Sequence, residues 1–113
     1  MRHTWELDLG SYLPVNHRLY DAAGTSLRPG SAAWATWLAD PQHTTFRVVT
    51  WQGRYTAERQ RRAGQTCWYG VWRAGGACYQ LRLGQDADLT VARFLEVARA
   101  LAAAAQRGPA SGP

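Results

Sequence analysis

The chain has 113 residues, of which 46% are hydrophobic and 19% are charged, and its formal net charge is +5. This length accommodates one hydrophobic core, and the abundance of aromatic residues excludes a largely disordered chain. There is no signal-peptide core and no apolar run of membrane-spanning length, so we predict a cytoplasmic protein with no membrane partner. We predict one domain over residues 1–107 and a flexible tail at 108–113.

Residues 1–45 predict a strand, a turn-rich segment and a short helix. Residues 4–9 alternate between polar and apolar side chains, which predicts a strand. The turn residues that follow leave room for a second short strand at 15–20. Ser31 is suited to cap a helix over residues 32–39, and Asp40-Pro41 ends it.

Residues 46–84 predict an antiparallel sheet of four strands. Three glycine-bearing dipeptides separate the strands, namely Gln52-Gly53, Ala63-Gly64 and Gly75-Gly76. Such dipeptides favour two-residue hairpin turns, which need positive φ angles. The turns then set the register, with Trp51 opposite Arg54, Arg62 opposite Gln65 and Ala74 opposite Ala77.

This register sorts the side chains onto two faces of different chemistry. The apolar face carries Phe46, Val48, Tyr55, Ala57, Trp68, Gly70, Trp72, Tyr79, Leu81 and Leu83, with Arg59 near one end. The other face carries Arg47, Val49, Trp51, Arg54, Thr56, Glu58, Gln60, Tyr69, Val71, Arg73, Gln80 and Arg82. One face therefore belongs to the core, whereas the other has the composition of a binding surface.

A C-terminal helix is predicted over residues 88–106, capped by Asp88 or Thr90. Its apolar stripe consists of Val91, Phe94, Leu95, Ala98, Leu101 and Ala102. We expect this stripe to cover the apolar face of the sheet at Trp68, Trp72 and Tyr79. The predicted fold class is therefore α+β, an antiparallel four-stranded meander packed by a C-terminal helix, with an N-terminal strand and short helix.

The positive charge is concentrated in the predicted sheet. Residues 46–85 hold seven arginines and one acid, whereas the segments before and after carry net charges of −1 and 0. A basic face interleaved with aromatic residues is typical of nucleic-acid contacts. We therefore predict that the sheet lies in the major groove of double-stranded DNA, using Arg47, Trp51, Arg54, Arg61, Arg62, Tyr69, Arg73 and Arg82. A solvated basic face, or one covered by the N-terminal half, is the alternative interpretation.

The two cysteines are not expected to form a disulfide. In the predicted register Cys67 pairs with Gln60 and Cys78 with Arg73, which separates the cysteines by roughly 20 Å. Both are predicted to be free thiols in a reducing compartment. The sequence has no zinc-ligand spacing and no phosphate-binding loop, so no metal and no cofactor is predicted.

Several segments resemble a recurrent bacterial module. They are GSAAWATWL (30–38), FRV (46–48), GRYTAERQRRAGQTCWYGVWRAGGACYQLRLG (53–84) and DLTVARFLEVARAL (88–101). They are similar to the N-terminal segment of some MalT-like, LuxR-family transcriptional regulators, which also occurs as a stand-alone protein. The chain departs from that pattern at Ala77 and Cys78, where the module has lysines, and at Arg82, where it has tyrosine. The resemblance implies a role connected with transcription.

Two other function classes compete with nucleic-acid binding. An exposed strip of Trp51, Tyr69 and Val71 would suit a protein partner, which makes an interaction or scaffold module the main alternative. A small ribonuclease would need His43 to meet Arg47 and Tyr69 on folding. No nucleophile elbow or paired carboxylate occurs, so we predict that the protein is not an enzyme. The sequence leaves the oligomeric state open.

Overall fold

A computed structural model describes residues 4–108, which fold into one mixed β-sheet and two α-helices. The strands are β1 (Trp5–Asp8), β2 (Arg18–Asp21), β3 (Ser26–Leu27), β4 (Thr45–Thr50), β5 (Gly53–Arg62), β6 (Gln65–Ala74) and β7 (Ala77–Gly84). The helices are α1 (Ala32–Ala39) and α2 (Val91–Arg107), and 3-10 turns lie at Pro14–Asn16 and Asp86–Asp88. Apart from Gly108, the tail predicted at 108–113 lies outside the described residues.

The α+β class is confirmed, but the prediction of a four-stranded antiparallel sheet is wrong. The sheet has seven strands in the order β3-β2-β1-β4-β5-β6-β7, and β1 runs parallel to β4. The predicted meander is present as β4–β7, and the N-terminal half extends it edge to edge. The N-terminal strands join the sheet because this buries the apolar side of β1. Leu7 is fully buried because it sits between Val48 of β4 and Leu19 of β2.

Two of the three predicted turns have the predicted register. Arg62 pairs with Gln65, and Ala74 pairs with Ala77. The first turn differs, because Thr50 pairs with Gly53 and the turn residues are Trp51 and Gln52. The Thr50 hydroxyl closes this turn by donating to the Gly53 carbonyl at 2.8 Å and accepting from the Gln52 amide at 3.2 Å. The register shifts by two residues, so the strand residues keep their predicted faces.

Both helices pack on the apolar face of the sheet. α1 begins at the predicted cap, where the Ser31 hydroxyl accepts from the Trp34 amide at 3.1 Å. Trp34 and Trp37 then pack against Phe46, with ring centroids 6.2 and 5.5 Å away. The C-terminal helix was predicted over residues 88–106, but a 3-10 turn occupies Asp86–Asp88, so α2 begins three residues later than predicted, after its cap Thr90.

The core lies between this face and the two helices. α2 contributes Phe94, Val97, Ala98 and Leu101 to it, and Trp72 and Tyr79 pack against its margin. Val97 was not part of the predicted stripe, although its position between Phe94 and Leu101 suits a helix face. Within residues 4–108, no helix is both long and apolar enough to cross a membrane.

Candidate nucleic-acid interface

Both helices pack on one face of the sheet, and we call the opposite face the open face. Strands β1–β3 lie beside the meander and α1 lies on the helix side of the sheet, so none of these elements covers the predicted binding surface. In the observed register the open face carries Glu6, Asp8, Arg18, Tyr20, Arg47, Val49, Arg54, Thr56, Glu58, Gln60, Arg62, Cys67, Tyr69, Val71, Arg73, Cys78, Gln80 and Arg82. Six arginines and three acids give it a net charge of +3.

Six of the eight predicted interface residues share this face, namely Arg47, Arg54, Arg62, Tyr69, Arg73 and Arg82. Trp51 does not lie on the strand as predicted, because the shifted register places it in the β4–β5 turn, where it is 61% exposed. Arg61 alternates to the other face at the end of β5 and is exposed there. Arg18 and Gln60 belong to the open face but were not among the predicted interface residues.

The charge on the open face is uneven. On the β1–β2 side the Tyr20 hydroxyl donates to Glu6, and Arg47 Nη1 lies 3.8 Å from the same carboxylate. The pKa of Tyr20 is raised above its ordinary value, mainly by this hydrogen bond to Glu6 and to a smaller extent by burial. Asp8 adds a second acid nearby. The positive excess of the open face therefore lies on β5–β7, where four arginines face a single acid, Glu58.

A line of hydrogen bonds organises Arg62 on this basic side. Its guanidinium lies over the Tyr69 ring, 4.0 Å from the ring centroid. Arg62 Nε donates to Gln60 Oε1 at 2.8 Å, and Nη2 donates to Gln80 Oε1 at 2.7 Å. Gln60 in turn donates to Glu58, which pairs with Arg73 at 3.4 Å. These contacts join strands β5, β6 and β7 across the open face.

Arg82 contacts a buried thiol on the same face. Its Nη2 lies 3.3 Å from the Cys67 sulfur, and this hydrogen bond raises the pKa of Arg82 above its ordinary value. Cys67 is 4% exposed and Val71 is 2% exposed, although both side chains belong to the open face. Polar side chains thus form the accessible layer, and the predicted Trp51–Tyr69–Val71 strip is not continuous at the surface.

Arg59, which the sequence placed near one end of the apolar face, has a structural role. Its Nη1 donates to the Asp40 carbonyl at 2.9 Å, and its Nη2 donates to the Leu38 carbonyl at the end of α1. Asp86 lies 3.7 Å away and also accepts from the Trp68 indole at 2.8 Å. Arg59 therefore ties α1 to the sheet and does not point towards the open face.

The candidate ribonuclease residues do not come together. His43 stacks on Trp37 on the helix side, with ring centroids 4.2 Å apart, and its Nδ1 lies 2.8 Å from the Trp37 carbonyl oxygen. Tyr69 and Arg47 lie on the opposite face of the sheet. Among residues 4–108, no three His, Cys, Asp or Glu side chains are grouped as a metal site would require.

The open face is thus a broad, basic, solvent-facing surface whose charge is concentrated on β5–β7. The similarity to the regulator module stays a prediction from the sequence. Comparisons with protein-family models, with curated proteins and with solved structures found no match to this chain.

Proposed function

We propose that the protein binds nucleic acid through the β5–β7 part of its open face. The observation that carries this proposal is the sheet face opposite both helices, where Glu58 is the one acid among the described residues of β5–β7 and the arginines are Arg54, Arg62, Arg73 and Arg82. Arginine neutralises phosphates, and the release of condensed counterions favours such binding at low salt. A role in transcription, suggested by the sequence resemblance, belongs to the same proposal.

The breadth of the sheet bears on how a ligand is held. Seven strands spaced about 4.8 Å apart separate the first strand from the last by roughly 29 Å. The major groove of B-DNA is about 12 Å wide, so the whole sheet does not fit into it. Contact with a duplex would therefore run over the phosphates and would not insert the sheet as predicted from the sequence.

The test is fluorescence anisotropy of labelled oligonucleotides, single-stranded and duplex, titrated at several salt concentrations. Wild type is expected to bind with a logarithmic salt slope that corresponds to about three to five phosphates. Replacing Arg73 and Arg82 by alanine together should reduce that slope by about two units. The absence of binding to any oligonucleotide at low salt would refute the proposal.

A double variant on the opposite side of the molecule provides the matched control. Arg99 and Arg107 are exposed on α2, far from the open face, and their replacement by alanine removes the same charge. This variant should keep most of the wild-type affinity. Equal losses in the two double variants would mean that net charge, and not the open face, determines binding.

A group of exposed apolar residues supports protein binding as the second candidate function. Trp51 in the β4–β5 turn and Tyr12, Leu13 and Val15 in the loop after β1 are all exposed. The turn and the loop lie at the same end of the sheet because β1 and β4 are parallel. Capture of a protein partner that tolerates high salt, and that Trp51→Ala abolishes, would favour this function.

A further inference from the structure

We propose that the open face selects single-stranded over duplex nucleic acid, with Arg62 and Tyr69 forming a platform on which an unpaired base stacks. This inference rests on the proposed function and names its ligand class. The starting point is the position of the Arg62 guanidinium over the Tyr69 ring, 4.0 Å from its centroid. Arg62 is exposed, so the side of the guanidinium that faces away from the ring is accessible to a ligand.

The guanidinium is held in place before any ligand arrives. Gln60 and Gln80 accept hydrogen bonds from Arg62 at 2.8 and 2.7 Å, so side chains of two different strands fix its plane. An exposed arginine ordinarily loses rotamer freedom on binding, which opposes association. Here part of that entropy has already been lost on folding, and the flat surface is ready for contact.

A preorganised guanidinium above an aromatic ring suits an unpaired base. Unstacked bases bind to arginine planes and aromatic rings by stacking, whatever their sequence. In a duplex both faces of each base are already covered by its neighbours, so only edges and phosphates remain for the protein. The platform therefore contributes affinity for a single strand that a duplex cannot use.

Other arginines surround the platform at positions suited to phosphates. Arg82 lies directly opposite Tyr69 in the β6–β7 register, and Arg73 follows four residues along β6. Arg73 is 63% exposed, so its ion pair with Glu58 leaves it open to a phosphate. A stacking residue flanked by exposed cations is the arrangement found where proteins hold single strands without base-specific contacts.

The test compares wild type with Arg62→Lys on three labelled probes of one sequence: single-stranded DNA, single-stranded RNA and the DNA duplex. Lysine keeps the charge but lacks the planar group, so phosphate contacts are retained and stacking is lost. We expect wild type to bind a single strand more tightly than the duplex. Arg62→Lys should weaken single-strand binding about 5- to 150-fold and duplex binding less than about twofold.

Two further variants keep the result interpretable. Tyr69→Leu removes the ring beneath the guanidinium and should reproduce the selective loss, whereas Arg82→Lys should leave the single-strand preference intact. Circular dichroism and thermal unfolding show whether each variant is folded. A difference between the RNA and DNA strands would identify the source of the ligand, because the 2′-hydroxyl distinguishes the two.

The outcomes separate this inference from the proposed function. Binding in which the duplex is held as tightly as the single strand would overturn the inference and leave the proposed function standing. Equal weakening of all probes by Arg62→Lys would do the same. Absence of binding to every probe at low salt would overturn both.

Discussion

Gly70 of β6 lies directly against Val97 of α2. A Cβ atom on Gly70 would come within 2.9 Å of Val97 Cγ1 and 3.0 Å of Tyr55 Cε2. The close approach of helix and sheet therefore depends on the missing side chain. We predict that Gly70→Ala lowers the free energy of unfolding by about 1–3 kcal/mol through overpacking, as measured by urea denaturation.

The double variant Gly70→Ala, Val97→Ala tests the cause of that loss. Removing the Val97 methyl groups makes room for the new Cβ atom, so the double variant should lose less stability than the two single variants lose together. Strictly additive losses would show that Gly70 is required for a reason other than its contact with Val97.

Arg59 is predicted to stabilise the fold without contributing to ligand binding. It is largely buried, and it donates to the last carbonyls of α1 while lying over the Trp68 ring, 4.7 Å from the centroid. Arg59→Ala removes both of these hydrogen bonds, although the Asp40 carbonyl still accepts from the His43 amide at 3.0 Å. The substitution should cost about 2–3 kcal/mol in urea unfolding.

Arg61 provides the matched control two residues along the same strand. It is exposed on the same side of the sheet, so Arg61→Ala should change stability by less than about 0.5 kcal/mol. Similar stabilities of the Arg59 and Arg61 variants would contradict the structural role of Arg59.

The local parts of this fold could be predicted from the sequence because their signals are local. Alternation along residues 46–84 predicted the correct face for the residues that were assigned to one, with the exception of Trp51, and Ser31 marked the start of α1. The pairing of β1 with β4 could not be predicted in the same way. Parallel neighbours are not joined by a tight turn, and about 40 residues separate these two strands in the chain.

The candidate site was predictable only as a set of residues on one face. Alternation places Arg62 and Tyr69 on the same face, but a diagonal contact between them depends on the local twist of the strands and on Gln80 of a third strand. Trp51 was misplaced because the Thr50 hydroxyl, not the glycine dipeptide, sets the position of the first turn. A rule that considers only glycine positions cannot detect such a side-chain contact.

Tyr55 is predicted to make the protein sensitive to alkaline pH. Its hydroxyl is buried and donates to the Phe94 carbonyl at 2.8 Å, and burial raises its pKa far above the ordinary value. The native state thus retains a proton that the unfolded chain releases above a pH of about 10. The stabilisation is complete below that pH and decreases as the pH rises through it.

The measurement is the urea midpoint between neutral pH and strongly alkaline pH. Wild type should lose stability more steeply above pH 10 than Tyr55→Phe, which has no hydroxyl to ionise. At neutral pH the same variant should be less stable by about 1 kcal/mol, because the hydrogen bond from the Tyr55 hydroxyl to the Phe94 carbonyl is lost. Parallel pH profiles for the two proteins would contradict the assignment.

The two cysteines are predicted to differ sharply in reactivity. Both are free, Cys78 is exposed on the edge strand β7, and Cys67 is buried beneath Arg82, whose Nη2 lies 3.3 Å from its sulfur. A thiol-reactive aromatic disulfide should label Cys78 at once and Cys67 only when the protein opens, since access limits the reaction. Cys78→Ser should abolish the fast phase, whereas Arg82→Ala should accelerate the slow one. Rapid labelling of both thiols in the folded wild type would mean that Arg82 does not cover Cys67 in solution.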